Sequence, residues 1–184
     1  MRQARGCACT ATASARPARD AGGVRLLFVC LGNICRSPTG AGVMTRMVRR
    51  AGLEEEIAVG SAGTSNFHVG SPPDARSTAA AAARETTLTG AARQVTADDF
   101  EAWDLLLCAD RSNAASLMAI APDAAAAEKV RLLREFDPAS VAAGSLDVPD
   151  PYMGEDGFEE VIDIIEAACA GLLERLRQRS GDAS

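Results

Sequence analysis

From Val24 onward the chain alternates short, wholly apolar runs with segments whose apolar residues recur every three or four positions. Runs such as Leu26-Leu27-Phe28-Val29 and Leu105-Leu106-Leu107 read as strands. The pattern predicts strands near 25–30, 56–61, 104–109 and 129–133, and helices near 38–51, 74–85, 96–101, 111–120 and 157–179. The last helix has a clear apolar stripe formed by Phe158, Val161, Ile162, Ile165, Cys169, Leu172, Leu173 and Leu176. Cys169 lies within that stripe, so core packing is its expected role. Strands that alternate with helices imply parallel βαβ units with right-handed crossovers, and hence an α/β fold. Ligands of such open sheets sit at the carboxyl ends of the strands. The first strand ends at Cys30.

The length of 184 residues suits a single domain with a proper core. That domain is expected over 24–179, with disordered ends at 1–23 and 180–184. Residues 1–23 are rich in Arg, Ala, Ser and Gly and have no apolar stretch to offset the entropy of ordering. An upstream start codon or a tag-like extension accounts for them, with an organellar transit peptide as the alternative. Of the formal charge of −6, this tail carries +3 (Arg2, Arg5, Arg16 and Arg19 against Asp20), which leaves −9 on the remainder. An acidic body argues against nucleic-acid and anionic-membrane partners, which need broad positive surface. Six cysteines without paired Cys-x2-Cys motifs, and a single histidine, His68, offer no zinc site. Neither metal nor cofactor is expected. The cysteine usage fits free thiols in a reducing cytoplasm.

The chemistry concentrates in Val29-Cys-Leu-Gly-Asn-Ile-Cys-Arg-Ser-Pro38. A strand, a tight loop and a helix start place the backbone amides of Leu31, Gly32, Asn33, Ile34 and Cys35 between a cysteine and an arginine. Such a loop curls around an oxyanion. The helix N-terminus adds unpaired N–H groups, and the Arg36 guanidinium can clasp two phosphate oxygens. The same field favours the thiolate of Cys30, its nucleophilic form. Asn33 tolerates positive φ in mid-loop. Ser37, ahead of Pro38, serves as helix N-cap and can also donate to the Cys30 sulfur.

Val29 to Pro38 resembles the signature of the low-molecular-weight protein tyrosine phosphatases, and Asp150-Pro151-Tyr152 resembles that family's acid loop. Ser61-Ala62-Gly63-Thr64, Val69-Gly70-Ser71-Pro72, Ala92-Arg93-Gln94-Val95-Thr96 and Asp98-Asp99-Phe100 follow the family in the same order, so the likeness spans roughly 24–177. It implies a four-stranded parallel sheet flanked by helices and hydrolysis of phosphotyrosine in protein substrates through a phosphocysteine, by a monomeric cytoplasmic enzyme. Cys30 would be the nucleophile, Arg36 the phosphate clamp and Asp150, restrained between two prolines, the general acid and then base. Phe67 and Tyr152 would wall a slot for a flat ring, and Ser61 would brace Asn33. Ile34 stands where related protein arginine phosphatases carry a threonine, which favours phosphotyrosine. The likeness fails at a bracing histidine, where this chain has Gly90, and at the helix start, where Gly40 and Gly42 replace better helix formers. Cys35 is a candidate disulfide partner for an oxidised Cys30. Arginine phosphatase activity and a non-catalytic phosphotyrosine-binding module are the alternatives. Arsenate reduction is weaker, because Cys108 and Cys169 do not make a disulfide relay. His68 is expected to be a plain loop residue.

Overall fold

The computed structural model describes residues 23–154 and 156–181. The expectations for the tail before Gly23 and for 182–184 lie outside these residues. Four strands, β1 (Val24–Cys30), β2 (Ile57–Gly63), β3 (Leu105–Cys108) and β4 (Val130–Leu132), form one wholly parallel sheet in the order β2-β1-β3-β4. Around it run α1 (Arg36–Ala51), α2 (Ala75–Ala82), α3 (Asp99–Ala102), α4 (Arg111–Met118), α5 (Ala124–Ala127), α6 (Pro138–Ala143) and α7 (Phe158–Gly181). Among the described residues no helix is long and apolar enough to cross a membrane.

β1 explains the layering. Its side chains alternate between faces. Leu26 and Phe28 enter a core with Val43, Met44, Ile165 and Leu172 of α1 and α7. Leu27 and Val29 enter the opposite core with Phe100, Trp103, Leu106 and Leu117. Both faces are therefore buried, and so the strand reads as a continuous apolar run. From β1 the chain moves to β2 on one side and then crosses to β3 on the other. This places a switch point at the carboxyl end of β1, where a third cluster of Ile34, Cys35, Ala80, Ala81, Phe158 and Ile162 packs the following loop against α2 and α7.

Each strand and helix expected from the pattern is present, with ends displaced by up to a few residues. Three pieces were not expected: α5, α6 and a 3-10 turn over Leu133–Phe136. Two of them carry readable caps. The Asp123 carboxylate accepts from the Ala126 N–H, and Asp137 accepts from those of Ala139 and Ser140. Pro138 follows at the first turn of α6, and Gly144 closes that helix at φ 66°.

The glycine at position 40 has a packing reason. A Cβ there would stand 2.4 Å from the Phe28 ring, so α1 lies on β1 only because position 40 has no side chain. Alanine is the better helix former by about 1 kcal/mol, whereas overpacking against a buried ring costs about 1–3 kcal/mol. Packing wins. Gly40→Ala is expected to lower the thermal midpoint by several degrees in a melting experiment, and a higher midpoint would contradict this packing.

Candidate active site

The loop between β1 and α1 is held at its middle by Asn33. This residue stands at φ 54°, in the left-handed region that asparagine tolerates. The turn brings its backbone N–H to 3.3 Å from the Cys30 sulfur. Its side-chain amide donates to Ser37 Oγ and Ser61 Oγ, both at 2.9 Å, and its carbonyl oxygen accepts from the Arg93 backbone N–H at 3.0 Å. Loop, helix, edge strand and the 93–95 segment thus meet on one buried side chain. Gly63 lets this happen. A Cβ there would fall 2.8 Å from the Leu31 carbonyl.

The Cys30 sulfur lies 3.0 Å from Ser37 Oγ, whose proton can also reach the Ala62 carbonyl at 3.2 Å. The Asn33 N–H and the Ser37 hydroxyl thus both contact the one sulfur. The N-cap expectation for Ser37 is corrected. α1 begins at Arg36, the cap position is Cys35 without a side-chain cap bond, and the Ser37 hydroxyl is turned to the sulfur and Asn33 instead. Gly90 stands at φ 90° with open space where a side chain would begin, and Asn33 is held by its other partners.

Arg36 is 4% exposed and heavily bonded. One terminal nitrogen donates to Asp110 Oδ2 at 2.6 Å and to the Val148 carbonyl at 3.1 Å, and the other to Asp150 Oδ2 at 2.6 Å. Asp110 was missed by sequence reasoning. Its Oδ1 caps α4 by accepting from the Asn113 N–H at 2.8 Å, while Oδ2 serves the arginine. The signal available was an acidic residue directly beyond the third strand, at the switch point, ahead of a helix. The other Asp150 oxygen accepts from the Tyr152 N–H at 3.2 Å.

These groups open on a cavity of about 300 Å³. Cys30, Arg36 and Asp150 line it together with Leu31, Gly32, Ile34, Cys35, Phe67 and Tyr152. Asn33, Ser37 and Ser61 stand behind the loop and brace it. Phe67 is 83% exposed, so it is a wall at the mouth rather than a core residue. The expectation for His68 is corrected as well. Its ring lies edge-on to Phe67 at 5.0 Å and to Tyr152 at 5.7 Å, on the cavity wall. Only adjacency to Phe67 hinted at this in the sequence. Burial pushes the Cys35 thiol up to about 11, with a hydrogen bond to Ser77 acting the other way, and burial pushes Cys108 up to about 12. The four described cysteines are free.

A thiol sulfur on the floor of an amide-lined loop, with a buried guanidinium and a carboxyl at the mouth, is equipped to receive a phosphoryl group and exchange it by in-line displacement. The comparisons agree with this geometry. Residues 25–181 match the family model described as low molecular weight phosphotyrosine protein phosphatase. A low molecular weight protein-tyrosine-phosphatase of Streptomyces coelicolor is 46% identical over 156 residues, covering 84% of this chain and 94% of that protein. The human low molecular weight phosphotyrosine protein phosphatase is 36% identical over 152 residues, covering 82% and 94% respectively. Among solved structures, a protein tyrosine phosphatase from Entamoeba histolytica with Hepes in its active site aligns with a TM-score of 0.80 at 34% identity. It covers 86% of this chain and 99% of that one. With nearly its whole folded length matched in sequence and in structure, the chain belongs to the low molecular weight protein tyrosine phosphatases, a family of cysteine-dependent hydrolases.

Proposed function

We propose that this protein hydrolyses phosphotyrosine in protein substrates through a phosphocysteine at Cys30. The observation that carries the proposal is the meeting of Cys30, Arg36 and Asp150 on one cavity whose mouth is walled by aromatic rings. In the first step the Cys30 thiolate attacks phosphorus. The S–P bond forms, the P–O bond to the tyrosine breaks, and the departing phenolate oxygen takes the proton of Asp150. In the second step water attacks phosphorus while Asp150 accepts one of its protons. The S–P bond then breaks, phosphate leaves, and Ser37 receives the returning thiolate through its hydrogen bond.

Arg36 does two things in this scheme. Arg36 and Asp150 both line the cavity, so a phosphoryl group gripped by the fork would take the carboxylate's place on the terminal nitrogen that holds Asp150. Binding then frees Asp150 to face the leaving oxygen. Asp110 and the Val148 carbonyl keep the other nitrogen fixed during the exchange. A planar guanidinium with several donors suits this shared duty, whereas a lysine would supply a single point charge.

Ile34 is buried and lines the cavity, which supports an aryl leaving group over the more polar guanidinium of phosphoarginine. Phe67, His68 and Tyr152 offer ring edges and faces to the same substrate.

Cys30→Ser is expected to abolish hydrolysis of aryl phosphates. Asp150→Ala should lower kcat/KM for phenyl phosphate by about 10²–10⁴-fold, and much less for p-nitrophenyl phosphate, whose leaving group needs little protonation. Steady-state kinetics with both substrates checks this, and equal losses would remove Asp150 from the acid role. A preference for phosphoarginine over phosphotyrosine peptides would overturn the substrate reading.

Alkylation gives an independent check. A raised thiol pKa means the neutral form at pH 7, and at about 11 the reactive thiolate of Cys35 is about 10⁻⁴ of the total. Iodoacetamide at pH 7 should therefore label Cys30 first among the four described cysteines, and orthovanadate should protect it. Peptide mass spectrometry reads the order. Labelling of Cys35 ahead of Cys30 would contradict the assignment.

A further inference from the structure

The phosphate loop and the acid loop lie more than a hundred residues apart, and the mechanism above leaves unexplained what sets the spacing between them. Besides Arg36, whose hold on Asp150 the phosphoryl group takes over in that scheme, a second side chain bridges the two. The Asp74 backbone N–H donates to the Ile34 carbonyl at 2.8 Å, which fastens the start of α2 to the phosphate loop. The Asp74 carboxylate holds the Arg76 guanidinium through Nε at 3.1 Å and Nη2 at 2.9 Å. From that fixed point the guanidinium reaches the main chain just beyond Asp150. Nη1 donates to the Gly154 carbonyl at 2.7 Å and Nη2 to the Tyr152 carbonyl at 3.2 Å. Its Cζ lies 4.7 Å from the centre of the Phe158 ring, at the start of α7, and 5.9 Å from that of Tyr152. The Tyr152 N–H then completes the path to Asp150 Oδ1.

The segment that carries Asp150 is also held by Arg36, through Asp150 Oδ2 and the Val148 carbonyl, and by the Val148 N–H on the Ala109 carbonyl at 2.7 Å. Beyond Pro151 it is exposed: Met153 is 93% exposed, Gly157 stands at φ 97°, and the described residues before α7 form no helix or strand. A general acid works only within hydrogen-bond reach of the oxygen it protonates, and a displacement of about 1 Å can cost 10²-fold in rate. We propose that Arg76 is a positioning residue that sets the distance between the phosphate loop and Asp150, acting through the main chain of Tyr152 and Gly154. The role requires a fork. Two carbonyls and a carboxylate are served at once by a planar group with five N–H donors, and a lysine ammonium cannot reproduce that geometry.

The inference rests on the reading of Asp150 as the acid, and the test keeps the two apart. Arg76→Met preserves an apolar stem over Phe158 and removes the donors, while Arg76→Lys preserves the charge and removes the fork. Both are measured beside Asp150→Ala with phenyl phosphate and with p-nitrophenyl phosphate, together with orthovanadate affinity and thermal midpoint. For Arg76→Met, kcat/KM toward phenyl phosphate should fall about tenfold, toward p-nitrophenyl phosphate less than about threefold, with orthovanadate affinity within about twofold of wild type. Arg76→Lys should show the same leaving-group dependence. Equal losses on both substrates, or loss of orthovanadate affinity in step with them, would make Arg76 a merely structural residue and overturn the inference. So would a lysine variant that matches wild type. If Asp150→Ala itself shows no leaving-group dependence, the acid assignment fails first and the positioning role falls with it.

Discussion

Everything at this site depends on the amide of Asn33. A loop that points its N–H groups at one spot sets parallel dipoles side by side, and this arrangement must be held from outside. Asn33 does so with one residue of left-handed backbone and three partners: Ser37 on the helix, Ser61 on the edge strand, and the Arg93 N–H beyond it. The bond to Ser37 is buried and the other two are partly so, and losing a buried one leaves an unsatisfied polar group at a cost of about 1–3 kcal/mol. The loop is therefore held in one shape, and the sulfur, which receives the Asn33 N–H, is held with it.

The sheet supplies the rest. Parallel β1 and β3 end side by side, so Cys30 and Asp110 emerge at the same edge although they are far apart in the chain. Asp110 captures Arg36 at the moment it caps α4, and Asp150 arrives from the loop before α7 to take the other arm of the guanidinium. A buried arginine without partners would cost several kcal/mol. With two carboxylates and a carbonyl it is stable in place, and one of those carboxylates, that of Asp150, remains 45% exposed. In the proposed mechanism a molecule of net acidic charge thus presents a cation to phosphate at a single point.

Much of this was legible in advance because the signals are local. Leu26 to Val29 are buried on both faces and read as an apolar run, the α7 stripe repeats at helical spacing, and Asn33 is one of the few residues that accept positive φ. What stayed hidden depends on tertiary approach. Gly40 reads as a helix weakness until Phe28 is seen beneath it. Ser37 reads as a cap until the helix is found to begin at Arg36 and the hydroxyl to face a sulfur. His68 has no periodicity to place it, and Asp110 sits in a plain strand-to-helix turn whose second duty appears only when Arg36 arrives from another part of the chain. The caps of α5 and α6, by contrast, were written in Asp123 and in Asp137-Pro138.

The most direct measurement of the central claim is to trap the intermediate. Asp150→Ala lacks the base that activates water but keeps the nucleophile, so with p-nitrophenyl phosphate it should accumulate a covalent phosphoenzyme. After acid quenching, peptide mass spectrometry should locate the phosphoryl group on the peptide containing Cys30, and the adduct should be absent from the Cys30→Ser control. A burst of p-nitrophenol without that adduct, or a phosphoryl group on another residue, would contradict the account.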